Sequence, residues 1–83
     1  MIKIMLFAQY REVVDSDTIQ VEMKDAGQLT VGELRKLIGY QHPALSAYMN
    51  SALIAVNEEI AIDSISLAEG DVIAAMPPVS GGT

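Results

Sequence analysis

The chain has 83 residues, no cysteine, a single histidine and a net charge of −6. This length accommodates one domain. The lack of cysteine excludes disulfides, thiolate zinc sites and a cysteine nucleophile, and His42 cannot form a histidine-based metal site by itself, so no metal is expected. No segment is as apolar as a membrane span and no signal peptide opens the chain, so we expect a cytoplasmic protein.

The acidic charge is concentrated in the second half of the chain. Residues 38–83 contain five acidic residues and no Lys or Arg, because all five basic residues lie in 1–37. Nucleic acids and anionic membranes bind basic surfaces, so we expect neither as a partner. A partner with a basic face fits this charge, although an acidic surface that only keeps the protein soluble is equally common.

Alternating apolar residues predict two strands near the start of the chain. Met1–Phe7 carries apolar residues on both faces, which predicts a central strand buried on both sides. Thr18–Met23 alternates between apolar and polar residues, which predicts a strand with one solvated face. The intervening residues 8–17 are polar, with a helical turn at 10–14, so the two strands are expected to form an antiparallel hairpin with a long loop.

A short amphipathic helix is predicted after the hairpin. Thr30 and Glu33 have the spacing of a capping box, in which the two residues satisfy each other's backbone N–H groups. Gly39 is interpreted as the left-handed residue that ends the helix. The apolar residues at helical spacing are Val31, Leu34, Leu37 and Ile38.

The second half of the chain predicts a short helix and three strands. We expect the helix at Ala44–Met49 and the strands at Leu53–Val56, Ile60–Ile62 and Val72–Met76. The last strand is apolar throughout and is therefore expected to be interior. His42 precedes a proline at a helix boundary, where it is expected to cap or pack locally rather than to act in catalysis.

This order of elements indicates an α+β protein with a β-grasp, or ubiquitin-like, architecture. A hairpin, a crossing helix and further strands predict a mixed sheet of about five strands with one main helix on one face. The first and last strands would be parallel neighbours at its centre. We therefore divide the chain into a β-grasp domain, residues 1–76, and an extended, flexible C-terminal tail, residues 77–83.

The tail is the strongest functional candidate in the sequence. No dinucleotide-binding, P-loop or zinc-protease motif is present, and the acidic residues fall at predicted turns. Pro77 and Pro78 cannot donate to a strand ladder and favour an extended path. Gly81 and Gly82 lack side chains, so the backbone can approach another surface closely. A frayed terminus is the alternative interpretation.

Three segments resemble the small subunit of molybdopterin synthase, in the ubiquitin-like sulfur-carrier family. They are Met1–Glu12, Ala55–Glu59, and Gly70–Asp71 together with the tail Pro77–Gly82. The Pro-Pro-Val-Ser-Gly-Gly tail is the most specific of them. The resemblance implies that Gly82 is adenylated by a ubiquitin-activating-like adenylyltransferase that consumes ATP, and is then converted to a thiocarboxylate.

The resemblance also implies a partner and an acceptor. The tail would enter the large synthase subunit in a heterotetramer of two small and two large subunits, and sulfur would pass to cyclic pyranopterin monophosphate to form the molybdopterin dithiolene. The small subunit would bind no cofactor and catalyse nothing alone. The residues that would enter the partner are Pro77, Pro78, Val79, Ser80, Gly81 and Gly82. Many family members carry an aromatic residue late in the last strand, which here implies a partner contact at Ala75 and Met76.

The final residue departs from the family pattern. With Thr83 attached, the Gly82 carbonyl is an amide and cannot be adenylated. Either Thr83 is removed in the cell, or it was added to the natural sequence, or this chain is not an active carrier. Two other hypotheses stay open: a ubiquitin-like interaction module that forms no thiocarboxylate, and a sulfur carrier for thiamin or tRNA thiolation.

Overall fold

The computed structural model describes residues 2–22 and 29–78. The described residues contain strands and helices in the order that the sequence predicts. In chain order they are β1 Ile2–Leu6, α1 Gln9–Val14, β2 Thr18–Val21, α2 Val31–Gln41, a 3₁₀ helix Pro43–Tyr48, β3 Leu53–Val56, β4 Glu59–Ile60 and β5 Ile73–Met76. None of the helices in these ranges is long and apolar enough to cross a membrane.

The strands form one mixed sheet in the order β2-β1-β5-β3-β4. β1 and β5 are parallel neighbours, and the other neighbouring pairs are antiparallel. The first and last strands of the chain therefore lie beside each other inside the sheet, and α2 provides the crossing helix. The predicted β-grasp architecture is confirmed.

Helix α2 begins at the predicted capping box. The Thr30 hydroxyl accepts a hydrogen bond from the Glu33 backbone N–H at 3.2 Å, and the Glu33 carboxylate accepts one from the Thr30 N–H at 3.0 Å. The apolar face of the helix is then buried against the sheet, with Val31, Leu34 and Ile38 fully inaccessible. Capping thus satisfies backbone N–H groups at the start of the helix, and burial of its apolar face holds the helix in place.

Gly39 does not end α2, so that prediction was wrong. The helix continues to Gln41, and the His42 N–H donates to the Ile38 carbonyl as its final bond. Gly39 lies where α2 passes close to the 3₁₀ helix. A Cβ at this position would be 3.4 Å from Ser46 Cα, so the glycine marks a close helix contact rather than a left-handed end.

The core lies on one face of the sheet. Ile4 and Leu6 of β1 and Ile73 of β5 point into it with the apolar face of α2. The other face is not covered by the described residues. Met5 on this face is only half-buried, and Phe7 is 44% exposed. The prediction that the first strand is buried on both sides was therefore wrong.

Four strands are shorter than predicted. β1 ends at Leu6 and β5 begins at Ile73, each one residue inside its predicted bound. β2 ends at Val21, and residue 23 lies outside the described ranges. The returning strand is Glu59–Ile60 instead of 60–62, because the chain turns at Asp63 and Ile62 is left exposed. After the turn, Ser66 forms an isolated bridge with Thr30 at the start of α2.

Candidate functional site

The C-terminal tail leaves from the middle of the sheet. β5 ends at Met76, between β1 and β3 in the sheet. The Phe7 N–H donates to the Ala75 carbonyl at 3.2 Å, which extends the β1–β5 pairing to the end of both strands. Pro77 is half-buried and Pro78 exposed. The remaining predicted tail residues, Val79, Ser80, Gly81, Gly82 and Thr83, lie outside the described residues.

The start of β5 is held by a pair of hydrogen bonds to the β3–β4 turn. The Asn57 N–H donates to the Val72 carbonyl at 2.7 Å, and the Val72 N–H donates to the Asn57 side-chain oxygen at 3.0 Å. Asn57 and Glu58 both have positive φ, 53° and 72°, as the two central residues of a tight type I′ hairpin turn require. The β3–β4 turn is thereby tied to the strand that carries the tail.

Asp71 adds two further hydrogen bonds next to this pair. Its carboxylate accepts hydrogen bonds from the Ala68 N–H at 2.8 Å and from the Asn57 side-chain amide at 3.0 Å. These bonds favour the charged form, the Ala68 bond most strongly, and lower the pKa of Asp71 from its ordinary value. The group therefore stays ionised, and keeps its acceptor role, down to a lower pH than an ordinary aspartate would.

An apolar surface adjoins the tail on the uncovered face of the sheet. Cross-strand partners share a face, and the register aligns Met5 with Ala74, Ala74 with Ala55, and Ala55 with Ile60. A second pair on this face, Leu53 with Met76, lies at the end of β5. We call this surface the open face and define it by Met5, Phe7, Leu53, Ala55, Ile60, Ala74 and Met76.

The exposure of the open face is uneven. Phe7 and Ile60 are 44% and 59% exposed, and Met76 is half-buried. The two alanines are buried because their small side chains lie below those of their neighbours. The accessible part is therefore a set of larger apolar side chains across the sheet, of the kind that marks a protein contact when contiguous.

Ala75 does not belong to the surface on which the sequence placed it. Its side chain is fully buried and part of the core cluster, because successive residues of a strand point to opposite faces. A partner cannot reach Ala75 in this fold, so the predicted contact there was wrong. Met76 does point to the open face, and it stays a candidate contact beside the tail.

Sequence reasoning missed Phe7 and Ile60 as surface residues. The signal was present, since β1 has apolar residues on its second face. It was interpreted as burial within the chain, whereas the described structure leaves that face open. A pattern of apolar residues cannot distinguish a face covered by the same chain from one that a partner covers.

His42 lies at the predicted helix boundary, between α2 and the 3₁₀ helix, but its side chain forms no capping hydrogen bond to the 3₁₀ helix. Its ring Nε2 lies 3.0 Å from the Gln20 carbonyl of β2. The neighbouring Gln41 side chain both accepts from the Glu22 N–H at 3.0 Å and donates to the Glu22 carbonyl at 3.2 Å. The end of α2 is thus bonded to the outer edge of β2, away from the tail.

Comparison with known proteins supports the similarity noted in the sequence. The model of the ThiS family matches residues 4–82. The molybdopterin synthase sulfur carrier subunit of Dictyostelium discoideum is 38% identical over 82 residues, which cover 96% of this chain and 94% of that protein. The subunit of the same name from Escherichia coli (strain K12) is 38% identical over an alignment of 84 positions, which covers 99% of this chain and 100% of that protein.

A similar structure has also been solved. SAMP1 from Haloferax volcanii, a small archaeal modifier protein, superimposes with a TM-score of 0.77 at 34% identity, covering 96% of this chain and 97% of that one. The similarity extends over the whole sheet and its crossing helix, and not over a single motif.

Proposed function

The chain belongs to the ThiS family, and we propose that it is the sulfur carrier subunit of a molybdopterin synthase. The observation that carries this proposal is the extent of the match, which includes both the domain and the tail as far as Gly82. The curated relatives with this name align over nearly their full lengths. In this role the protein is a sulfur-donating subunit and not a catalyst by itself.

The proposed chemistry takes place at Gly82. An oxygen of its carboxylate attacks the α-phosphate of ATP on an adenylyltransferase, forming an acyl-adenylate and releasing pyrophosphate. Hydrosulfide supplied by a sulfur donor then attacks the acyl carbon and displaces AMP, which leaves a thiocarboxylate. Glycine suits both steps because the acyl carbon carries no side chain that would hinder a nucleophile.

The large synthase subunit is proposed to bind the open face while it receives the tail. Phe7, Ile60 and Met76 provide accessible apolar area on that face, and Met76 immediately precedes the tail. Contact at this surface would hold the end of β5 against the partner, so that the following residues extend into its active site. Such a tail needs to be extended and narrow, and the sequence Pro77–Gly82 suits this because prolines favour an extended path and glycines have no side chain. We propose that two such pairs form a heterotetramer.

The test is intact-mass measurement on two chains, one ending at Gly82 and one ending at Thr83. Each is incubated with ATP, the adenylyltransferase and a sulfur donor. We expect the chain ending at Gly82 to gain the mass difference between sulfur and oxygen, because its carboxylate is available. The chain ending at Thr83 should change only if Thr83 is first removed.

The control is Gly82→Ala in the chain ending at residue 82. It should fold normally and acquire sulfur poorly, because the added methyl group hinders the acyl carbon. If the chain ending at Gly82 keeps its mass while an authentic sulfur carrier in the same mixture is converted, the proposed function is wrong.

A second candidate is a protein modifier, which the similarity to a small archaeal modifier protein favours. A Thr83 that is never removed would instead favour a ubiquitin-like interaction module that forms no covalent bond. The two candidates differ in the acceptor. A carrier should transfer sulfur to cyclic pyranopterin monophosphate, or to a thiamin or tRNA precursor, whereas a modifier should form an amide with an amine of another protein.

A further inference from the structure

A second apolar surface lies beside β4, at the edge of the sheet. A groove there is lined by Ile60, Ile62 and Ile65 together with Glu59 and Asp71. Ile62 and Ile65 are 68% and 41% exposed. Only Ile60 is shared with the open face, and the rest of the groove is formed by the end of β3, the β3–β4 turn, β4, the segment that follows β4, and Asp71. Large aliphatic side chains exposed together in a groove are unusual on the surface of a small domain.

The backbone at this edge is also available for bonding. The Ala61 N–H donates to the Ile54 carbonyl at 2.9 Å, which makes Ala55 and Ile60 a non-hydrogen-bonded pair in the antiparallel register. In such a pair the N–H and C=O groups point away from the partner strand. The backbone of Ile60 therefore faces outward from the last strand of the sheet.

The opposite edge of the sheet, at β2, is covered by side chains. There, Gln41 and His42 of the α2 end bond to the backbone of Glu22 and Gln20. Side chains that cover an edge prevent it from pairing with other chains. The β4 edge is short and carries isoleucines, so its accessible groups are suited to a small, specific contact.

The charge around the groove indicates what it binds. Glu58 and Glu59 lie in the β3–β4 turn and strand, and Asp71 is held in its charged form by the Ala68 N–H. Residues 38–78 contain no Lys or Arg. Among the described residues, Arg35 contacts this half of the chain, and it is already bonded to Asp63 and to the Met49 carbonyl. The groove is therefore apolar at its centre and acidic at its rim.

We propose that this groove is a docking site for a protein segment that presents an apolar side chain between Lys or Arg residues. The apolar side chain would lie against Ile62 and Ile65, and the basic residues would face the acidic rim. A second copy of this chain would bring the same acidic rim to the contact and does not fit. The proposal goes beyond the sulfur-carrier role and does not depend on Gly82 or the tail.

The experiment titrates the isotope-labelled full chain with two peptides and follows its backbone amides by NMR. One peptide alternates arginine and leucine, and the other alternates glutamate and leucine. We expect the arginine peptide to shift the amides of residues 57–62, 65–66 and 71–72, with weaker binding at higher salt. The glutamate peptide should leave these amides unchanged.

Two matched variants separate a specific groove from general attraction to an acidic protein. Ile62→Ser should weaken binding of the arginine peptide about tenfold, because it removes exposed apolar area from the groove. Tyr40→Ser removes another exposed apolar side chain, 85% accessible on α2, and should have no effect. Failure of the arginine peptide to bind, equal binding of both peptides, or equal weakening by both variants would overturn the proposal.

Discussion

Arg35 joins parts of the chain that are distant in the sequence. Its side chain projects from α2, where it donates to the Asp63 carboxylate at 2.8 Å and to the Met49 carbonyl at 2.7 Å. It also donates to the Ala52 carbonyl. The two carbonyls lie in the connection between the 3₁₀ helix and β3. One guanidinium thus satisfies a stretch of backbone that has no strand or helix to bond with.

Replacing Arg35 with Met should therefore lower the free energy of unfolding by about 1–3 kcal/mol, since two partly buried carbonyls would lose a donor. Asp63→Asn is the matched control, because Asp63 is largely exposed and a surface ion pair contributes only about 0–1 kcal/mol. Urea unfolding of both variants measures the difference. Equal losses would show that the ion pair, and not the backbone bonds, stabilises the fold.

At the residue scale, the sequence predicted capping within a helix turn, but it did not predict the face of the sheet to which a side chain points. The capping box of Thr30 and Glu33 depends on near neighbours in the sequence, whereas the His42 ring bonds to Gln20, 22 residues away. Ala75 was misplaced because its role depends on the face to which it points, and the register with β1 and β3 decides that. Its neighbour Met76, of similar apolar character, points the opposite way.

Helix α2 contains a residue of poor helix propensity, Gly39, at the place where it passes the 3₁₀ helix. Gly39 lies two residues before the end of the helix and faces the 3₁₀ helix. Glycine normally signals a helix end because it adopts left-handed torsions without strain. Here the glycine lies inside the helix and beside the 3₁₀ helix, and a single sequence gives no sign of that approach.

Gly39→Ala should stabilise the protein by up to about 1 kcal/mol, the difference in helix propensity between the two residues. The new Cβ would be 3.4 Å from Ser46 Cα, an ordinary van der Waals contact. Gly32→Ala in the first turn of the same helix is the comparison. Its Cβ would be 3.2 Å from Asp63 Cβ, so part or all of the gain should be lost.

Thermal unfolding of both variants measures these changes. A lower midpoint for Gly39→Ala than for the parent chain would mean that the contact between α2 and the 3₁₀ helix cannot yield, and that the glycine is required there.

The whole molecule has two distinct sides. α2 and the core occupy one side of the sheet, the open face occupies the other, and β5 ends at Met76 between β1 and β3. This division separates stability from function, because residues that hold the fold together are mostly not those available to a partner. It is also the reason why a domain this small can present a tail from a rigid strand.

Met76→Asp should weaken binding of the large synthase subunit by tenfold or more, at about the level expected for a charge placed in an apolar contact. Its effect on thermal stability should be small, because Met76 lies outside the core cluster. Lys36→Asp, an equally radical change on the exposed side of α2, should leave binding intact. Calorimetric titration measures both, and equal weakening would place the contact away from the open face.

The sequence by itself determined the elements, their order and the tail, because periodicity, capping and turn chemistry are local and can be read from neighbouring residues. From that order the β-grasp fold and the central pairing of β1 with β5 followed. Only the tertiary structure decided which apolar residues are covered. Burial depends on register and on which layer packs against which face, and these bring together residues as distant as Met5, Ile60 and Met76. The open face and the groove beside β4 were therefore visible only in the folded chain.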